Sequence, residues 1–303
     1  MINMIRKYAQ FRALLSDMDV KTDVPLKELT SFRIGGPAAF VVRPKTESEL
    51  CRALSAAEEA ELPFRILGNG TNVLAPDAGF PGLVLRLDAP FFPLLIDGCT
   101  VHAAAGESLA RAAHASVAAG LSGMEGLEGI PGTIGGACAM NAGAFGSEMK
   151  PILKRVRVYR GGEISDVTVR DEDLGHRRSV FAAPSAIVLR AELVLAPDNG
   201  HAAERTAEFS RRRREKQPLT LPSAGSVFKR PAGHVAGGLI DQCGLKGLRI
   251  GGAEVSEKHA GFIVNMGGAT EADVRALVAE IRRRVLLDTG VQLERELKYW
   301  DEV

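Results

Sequence analysis

The period of the apolar positions changes repeatedly along the chain, and each change predicts an element. In ATEADVRALVAEIRRRVLLDTG, residues 269–290, Val274, Leu277, Val278, Ile281 and Val285 recur at helical spacing, which predicts an amphipathic helix. Thr270 stands as its N-cap with Asp273 three positions on, and Gly290 as its stop. The following VQLERELKYW switches to strict alternation. Val291, Leu293, Leu297 and Tyr299 fall on one face and Glu294, Glu296 and Lys298 on the other, which predicts a strand.

The same reading divides the rest of the chain. AFVVR (39–43), FRIL (64–67) and LVLRL (83–87) read as strands, and TESELCRALSAAEEAELP between the first two reads as a helix capped by Thr46 with Glu49 three positions on. These make a first α+β unit over residues 1–88. VHAAA reads as a strand, ESLARAAHASVAAG as a helix ending near Gly120, KRVRVYRGGEISDVTV as a hairpin-like pair and SAIVLRAELVLAP as the last strand of a second unit over 89–198. The Pro-Asp-Asn-Gly turn at 197–200 marks its boundary with a third unit, 199–303. That unit opens on a charged helix, HAAERTAEFSRRRREKQP, whose run Arg211 to Lys216 is expected to be a solvated face rather than a phosphate patch.

Composition supports several units sharing one cleft, because 303 residues exceed what one core usually organises. A net charge of +1 gives no general attraction to nucleic acid or anionic membrane, so partners must be sought at local sites. Cys51, Cys99, Cys138 and Cys243 lie far apart without metal or disulfide spacing, as suits a reducing compartment. MINMIRKYAQFRALL carries scattered charge and no uninterrupted apolar core of a signal, and no later run approaches the roughly 18 apolar residues of a membrane span. A cytoplasmic protein without a metal is expected.

Three glycine-bearing stretches carry the chemistry. GLEGIPGTIGGACAMNAGAFG, residues 126–146, holds seven glycines, too many for a helix or strand interior and suited to backbone pressed against a flat anionic ligand. GNGTNVL (68–74) follows a strand, yet the third glycine of a dinucleotide fingerprint would fall at Val73, so a Rossmann site is disfavoured. TSFRIGGPA (30–38) adds a Gly-Gly pair beside Arg33. Spread over two units, the three imply a long anionic ligand such as a dinucleotide cofactor. No GxxxxGK[ST] is present.

FRIGGPA, LGNGTNVL, GLEGIPGTIGGACAMNAGAFG, RRSVF, PSAGSVFKRP, AGGLIDQCGLKGLRIGGAEVSEKHAGFIVN and LERELK, in that order, resemble the UDP-N-acetylenolpyruvoylglucosamine reductase family. The resemblance spans nearly the whole chain from about residue 25. It implies a vanillyl-alcohol-oxidase/PCMH-type FAD-binding fold of two α+β subdomains plus a third α+β substrate-binding domain, whose C-terminal strand carries Glu296. It also implies reduction of the enolpyruvyl nucleotide sugar by NADPH through FAD, in peptidoglycan synthesis.

Carried over by motif, the catalytic residues are Arg177, Ser226 and Glu296. FAD contacts are implied at Arg33, Gly35, Leu67, Gly68, Asn69, Gly70, Thr71, Asn72, Ile130, Pro131, Gly132, Thr133, Gly135, Gly136, Asn141 and Gly143. Substrate contacts are implied at Lys229, Arg230, Gln242 and Asn265. Such a protein is expected to act as a monomer on a small molecule, in the compact form of the family that lacks an extra tyrosine-bearing loop.

The chemistry explains the residue types. Hydride addition to the methylene end of the enolpyruvyl group leaves charge on the carbon bearing the carboxylate. A guanidinium can hold that carboxylate with two bonds, and a protonated carboxyl can donate to it. A hydroxyl on the correct face can then deliver the proton. By spacing alone, Glu294 and Glu296 are equivalent, Arg177 could be half of a surface pair with Arg178, and Ser226 could be a turn serine. A nucleophilic Ser226 is disfavoured because its surroundings are not GxSxG. Four positions depart from the usual pattern: His176 and Arg178 flank the arginine, Thr71 replaces a serine, and Arg230 replaces an asparagine. Another FAD-dependent oxidoreductase of this fold and a non-catalytic nucleotide-sugar binder are the competing readings.

Overall fold

In the computed structural model, residues 2–89, 91–183 and 185–302 are described. The first sheet has the strand order Val20–Pro25, Pro37–Val42, Phe80–Arg86, Phe64–Leu67. Its first pair is antiparallel and the other two are parallel. Helix Glu47–Glu59 makes the crossover and buries Leu50, Ala53, Leu54 and Ala57. Thr46 Oγ1 accepts the Glu49 N–H at 3.1 Å, but the Glu49 carboxylate takes the N–H of Lys45 at 2.7 Å, one residue before the expected position. The N-terminal stretch, read only as lacking a signal pattern, forms helix Ile2–Leu14 and sets Phe11 4.7 Å from the ring of Phe40.

The second sheet is antiparallel throughout, in the order Glu163–Thr168, Leu153–Arg160, Ala186–Val194, Thr100–Ala104, Leu95–Asp97. The expected hairpin is present, closing at Arg160 and Glu163. Helix Leu109–Ala118 packs beneath it, and Gly120 just beyond is left-handed at φ 74°. The glycine-rich segment differs from expectation, because it contains helix Ile134–Met140 with Gly135 and Gly136 inside it. Packing overrides propensity here. A Cβ on Gly135 would lie 2.9 Å from that of Ala105, whose carbonyl accepts the Gly135 N–H at 2.8 Å.

The third sheet runs Ser223–Ser226, Phe262–Asn265, Ala253–Val255, Arg249–Ile250. Helix Glu271–Thr289 covers it with all five predicted apolar residues buried, a Thr270–Asp273 capping box, and left-handed Gly290 at its end. Helix Ala202–Lys216 belongs to the third unit by sequence yet leans on the second, where Arg205 meets Glu125 at 2.6 Å and Ser210 donates to Glu128 at 2.5 Å. Its charged run is only partly solvated. Arg211 and Arg212 pair with Glu208, whereas Arg213 is 7% exposed with its guanidinium 5.4 Å from the Phe145 ring.

The expected final strand is corrected as well. Leu293 and Leu297 are buried as the alternation requires, but only Lys298–Tyr299 forms a strand, and it pairs in parallel with Val73–Leu74 of the first unit. Glu296 therefore precedes the strand that was expected to carry it. Its segment lies along residues 227–229 through a few separate bonds, Lys229 N–H to Glu294 carbonyl and Glu296 N–H to Val227 carbonyl, both 2.8 Å. Among the described residues, no helix is long and apolar enough to cross a membrane.

Candidate active site

A cleft of about 1290 Å³ runs between the three sheets, larger than the roughly 300–1,000 Å³ that serves one small ligand. Loop 68–72 and loop 130–133 form one wall, joined where the Asn69 amide donates to the Pro131 carbonyl at 3.0 Å. Their approach depends on glycine. A Cβ on Gly68 would stand 2.6 Å from Thr133 Oγ1, and left-handed Gly70, φ 63°, abuts the Leu29 carbonyl. At Gly132 and Gly136, by contrast, an added Cβ would meet only ordinary van der Waals contacts, 3.8 Å from Ile130 Cγ2 and 3.5 Å from Thr133 Oγ1. Both line the cleft, where they present backbone without a side chain.

Arg177 reaches this cleft from the tip of a short hairpin in which Gly175 pairs with Arg178. Its backbone is left-handed at φ 50°, a conformation that costs a residue with a side chain roughly 1–2 kcal/mol. Three of the five N–H donors of its guanidinium are engaged. Nε lies 2.8 Å from Glu296 Oε1, Nη2 donates to the Gly143 carbonyl at 2.6 Å, and Nη1 donates to the Asn141 carbonyl at 3.3 Å. Burial raises the Glu296 pKa above the ordinary carboxylate value, an effect that Arg177, His176 and Lys229 only partly offset. Its proton is therefore held to higher pH than that of an exposed glutamate.

Ser226 comes from the opposite unit. Ser223 pairs with Val264 and Ser226 with Phe262, so the serine strand carries one extra residue, a bulge at Ala224 and left-handed Gly225, φ 74°. Bulges re-aim the side chain that follows, and here Ser226 is exposed and lines the cleft. The next residue, Val227, supplies the carbonyl that holds Glu296. The three predicted catalytic residues thus line one cavity.

Of the implied cofactor residues, Arg33, Leu67, Gly68, Asn69, Gly70, Thr71, Asn72, Ile130, Pro131, Gly132, Thr133, Gly136 and Gly143 line the cleft, as does Arg230 of the implied substrate residues. Six others do not. Gly35 is left-handed and packs on Ala75 and Leu26, and Gly135 packs on Ala105. Asn141 is fully buried, donating to Glu148 and to the Gly175 carbonyl, so it braces the hairpin of Arg177. Lys229 is paired with Glu294, Gln242 is exposed at the end of helix Ala236–Gln242, and Asn265 is 8% exposed with its amide donating to the Phe32 carbonyl at 3.1 Å. Each of the last three sits where its motif gave no sign of which way it faced.

Arg213 and Arg214, read from the sequence as part of a solvated face, also line the cleft, as does His259, which sequence reasoning passed over. The His259 ring sits against Gly237 and Gly261, its Nδ1 accepts the Gly261 N–H at 3.1 Å, and burial lowers its pKa. The glycines around it were the available signal.

A model described as UDP-N-acetylenolpyruvoylglucosamine reductase, C-terminal domain, matches residues 217–300, and one described as FAD binding domain matches residues 38–165. The UDP-N-acetylenolpyruvoylglucosamine reductase of Alkaliphilus oremlandii is 42% identical over 97% of this chain and 97% of its own. The chain belongs to the UDP-N-acetylenolpyruvoylglucosamine reductase family. The Clostridioides difficile reductase is likewise 42% identical, over 97% of this chain and 98% of its own. The crystal structure of the reductase from Thermus caldophilus superposes with a TM-score of 0.77 at 38% identity, covering 93% of this chain and 99% of that one. Membership makes this an FAD-dependent oxidoreductase, and the FAD-binding region includes both glycine loops. The backbone that Gly132 and Gly136 present to the cleft without a side chain fits such a group.

Proposed function

We propose that this reductase converts UDP-N-acetylenolpyruvoylglucosamine to UDP-N-acetylmuramate with NADPH as reductant, in peptidoglycan synthesis. The carrying observation is the Arg177–Glu296 pair, 2.8 Å apart, in one cleft with Ser226 and facing the glycine loops. Bound along loops 68–72 and 130–133, FAD would accept two electrons from NADPH and supply a hydride to the enolpyruvyl methylene. Units 1–88 and 89–198 are read as the two domains that clasp it, and 199–303 as the domain that closes over substrate.

The chain's own residues handle the charge. Arg177 offers the substrate carboxylate a planar, permanently charged fork, already oriented by the Gly143 and Asn141 carbonyls. Glu296, in the protonated form that burial holds to higher pH than usual, donates to the other carboxylate oxygen as negative charge develops there. Ser226 delivers its hydroxyl proton to the carbon next to the carboxylate, and the cations around the cleft ease the alkoxide left behind. All three groups come from a single chain, so the site needs no second subunit, and a monomer is the proposed working state. A nucleotide-sugar substrate and NADPH support a cytoplasmic setting.

The test is an anaerobic pair of half-reactions on the purified flavoprotein. NADPH should bleach the flavin band, and the enolpyruvyl substrate should restore it with formation of the muramate product. A flavin that NADPH reduces but the substrate leaves reduced would overturn the reading.

A further inference from the structure

Glu296 is held from two sides. Its N–H donates to the Val227 carbonyl in the third unit, and its carbonyl accepts the side-chain amide of Asn72, in the first unit's glycine loop, at 3.3 Å. Asn72 also grips the chain beyond Glu296, because its own carbonyl accepts the Lys298 N–H at 3.1 Å. One residue therefore clamps the backbone on both sides of Leu297.

From there, residues 297–302 form a strap anchored in the first unit. Lys298 and Tyr299 pair with Val73 and Leu74, directly after the loop. Trp300 is 4% exposed, edge-on to Phe80 at 5.7 Å, and the Arg65 Nε donates to its carbonyl at 3.3 Å. The Tyr299 ring lies between two guanidinium groups, Arg275 at 3.8 Å and Arg295 at 3.4 Å. Those arginines in turn pair with Asp301 at 3.0 Å and Glu302 at 2.5 Å. The strap is thus fixed by ring stacking, ion pairs and burial, and Glu296 sits at its entrance.

We propose that Asn72 is a positioning residue that, with the strap, ties glycine loop 68–72 to Glu296, so that an ordered cofactor loop sets the acid against Arg177. The inference rests on the reaction proposed above. Its physical basis is that the Asn72 amide donor is directed at protein backbone, and that a displacement of about 1 Å in a catalytic group can cost on the order of a hundredfold in rate.

Two variants test it. Asn72→Ala removes the clamp's side-chain bond. Arg275→Met loosens the strap from a residue that does not line the cleft. In Arg275→Met, bound flavin and its reduction by NADPH should stay within about twofold of the unmodified enzyme, and in Asn72→Ala both should suffer clearly less than reoxidation does. Reoxidation at saturating substrate should slow at least about tenfold in Asn72→Ala and less in Arg275→Met. In a Glu296→Gln background, Asn72→Ala should add no further loss, because it acts through the missing group.

A readout without turnover is ¹³C NMR of glutamate-labelled holoenzyme, with the Glu296 signal assigned from Glu296→Gln. Its titration should move toward the ordinary carboxylate range in both variants. Flavin loss or equal slowing of both half-reactions in Asn72→Ala would make Asn72 a cofactor ligand and overturn the proposal. An unmoved titration, or losses that add in the double variant, would overturn it too. If the unmodified enzyme is not reoxidised by the enolpyruvyl substrate, the reaction reading fails, while the NMR arm still decides this one.

Discussion

Arg177 and Glu296 meet at 2.8 Å across the boundary between the second and third units, each with a side chain 20% exposed. A half-buried ion pair contributes little net stability, since desolvation offsets most of its attraction. Its arginine also holds a left-handed backbone at φ 50°. A strained arginine held in a pair that adds little stability fits the proposed mechanism, in which the two groups would receive the substrate carboxylate.

The first prediction concerns pH. Burial raises the Glu296 pKa, so its neutral form persists to higher pH than in an ordinary glutamate. Substrate-driven reoxidation should be fast below that value and decline as pH rises through it. Glu296→Gln should be slower and should lack this limb, and a limb that survives the substitution would remove Glu296 from the role. The stability sign agrees. A pKa raised on folding stabilises fully below the unfolded value, and that contribution drains away as pH climbs through the folded one.

A second prediction separates the half-reactions. Ser226 is exposed, so Ser226→Ala should change folding stability by no more than about 0.5 kcal/mol. Flavin reduction by NADPH should stay near its original rate, while reoxidation by substrate slows about 10²–10⁴-fold. Stopped-flow traces showing equal losses in both would assign the serine a structural role.

The glycine wall yields a third. Gly68→Ala would push a methyl to 2.6 Å from Thr133 Oγ1 and part the two loops. FAD affinity, measured by quenching of flavin fluorescence, should fall at least tenfold, about 1.4 kcal/mol. Thr133→Ala in the same chain removes the obstructing oxygen and should recover part of the loss. No recovery would mean the loops are held apart by something else.

The fourth is a control on folding alone. Thr270→Ala removes the cap of helix Glu271–Thr289 and should lower stability by about 1 kcal/mol in urea unfolding. Flavin content and both half-reactions should be unchanged, because neither Thr270 nor Asp273 lines the cleft. Lost activity in the folded variant would tie this helix to the site.

Where burial alone decides structure, the chain could be read directly. The five apolar positions of helix Glu271–Thr289 and the strand Phe64–Leu67 fall where their periods place them. The alternation over 291–299 gave the buried side chains Leu293 and Leu297 correctly but not their hydrogen bonding, since side-chain period is blind to which backbone lies alongside. Helix Ile134–Met140 was hidden because its Gly135 answers to Ala105, a residue about thirty positions away. Arg213 looked solvated for a similar reason, its cover coming from Phe145 on another unit. Among the site residues, spacing could not separate Glu294 from Glu296. The structure separates them by placing Glu294 at the surface beside Lys229 and Glu296 beside Arg177.

The docking of the strap has a consequence for how the molecule can be watched. Asn72 and Glu296 are 224 residues apart in sequence, so their contact closes a very long loop at an entropic cost that local contacts do not carry. The chain's one tryptophan, Trp300, is buried by the same event. Its emission should therefore blue-shift when Glu296 is seated, turning the indole into a built-in optical gauge of whether a given molecule has finished assembling its acid.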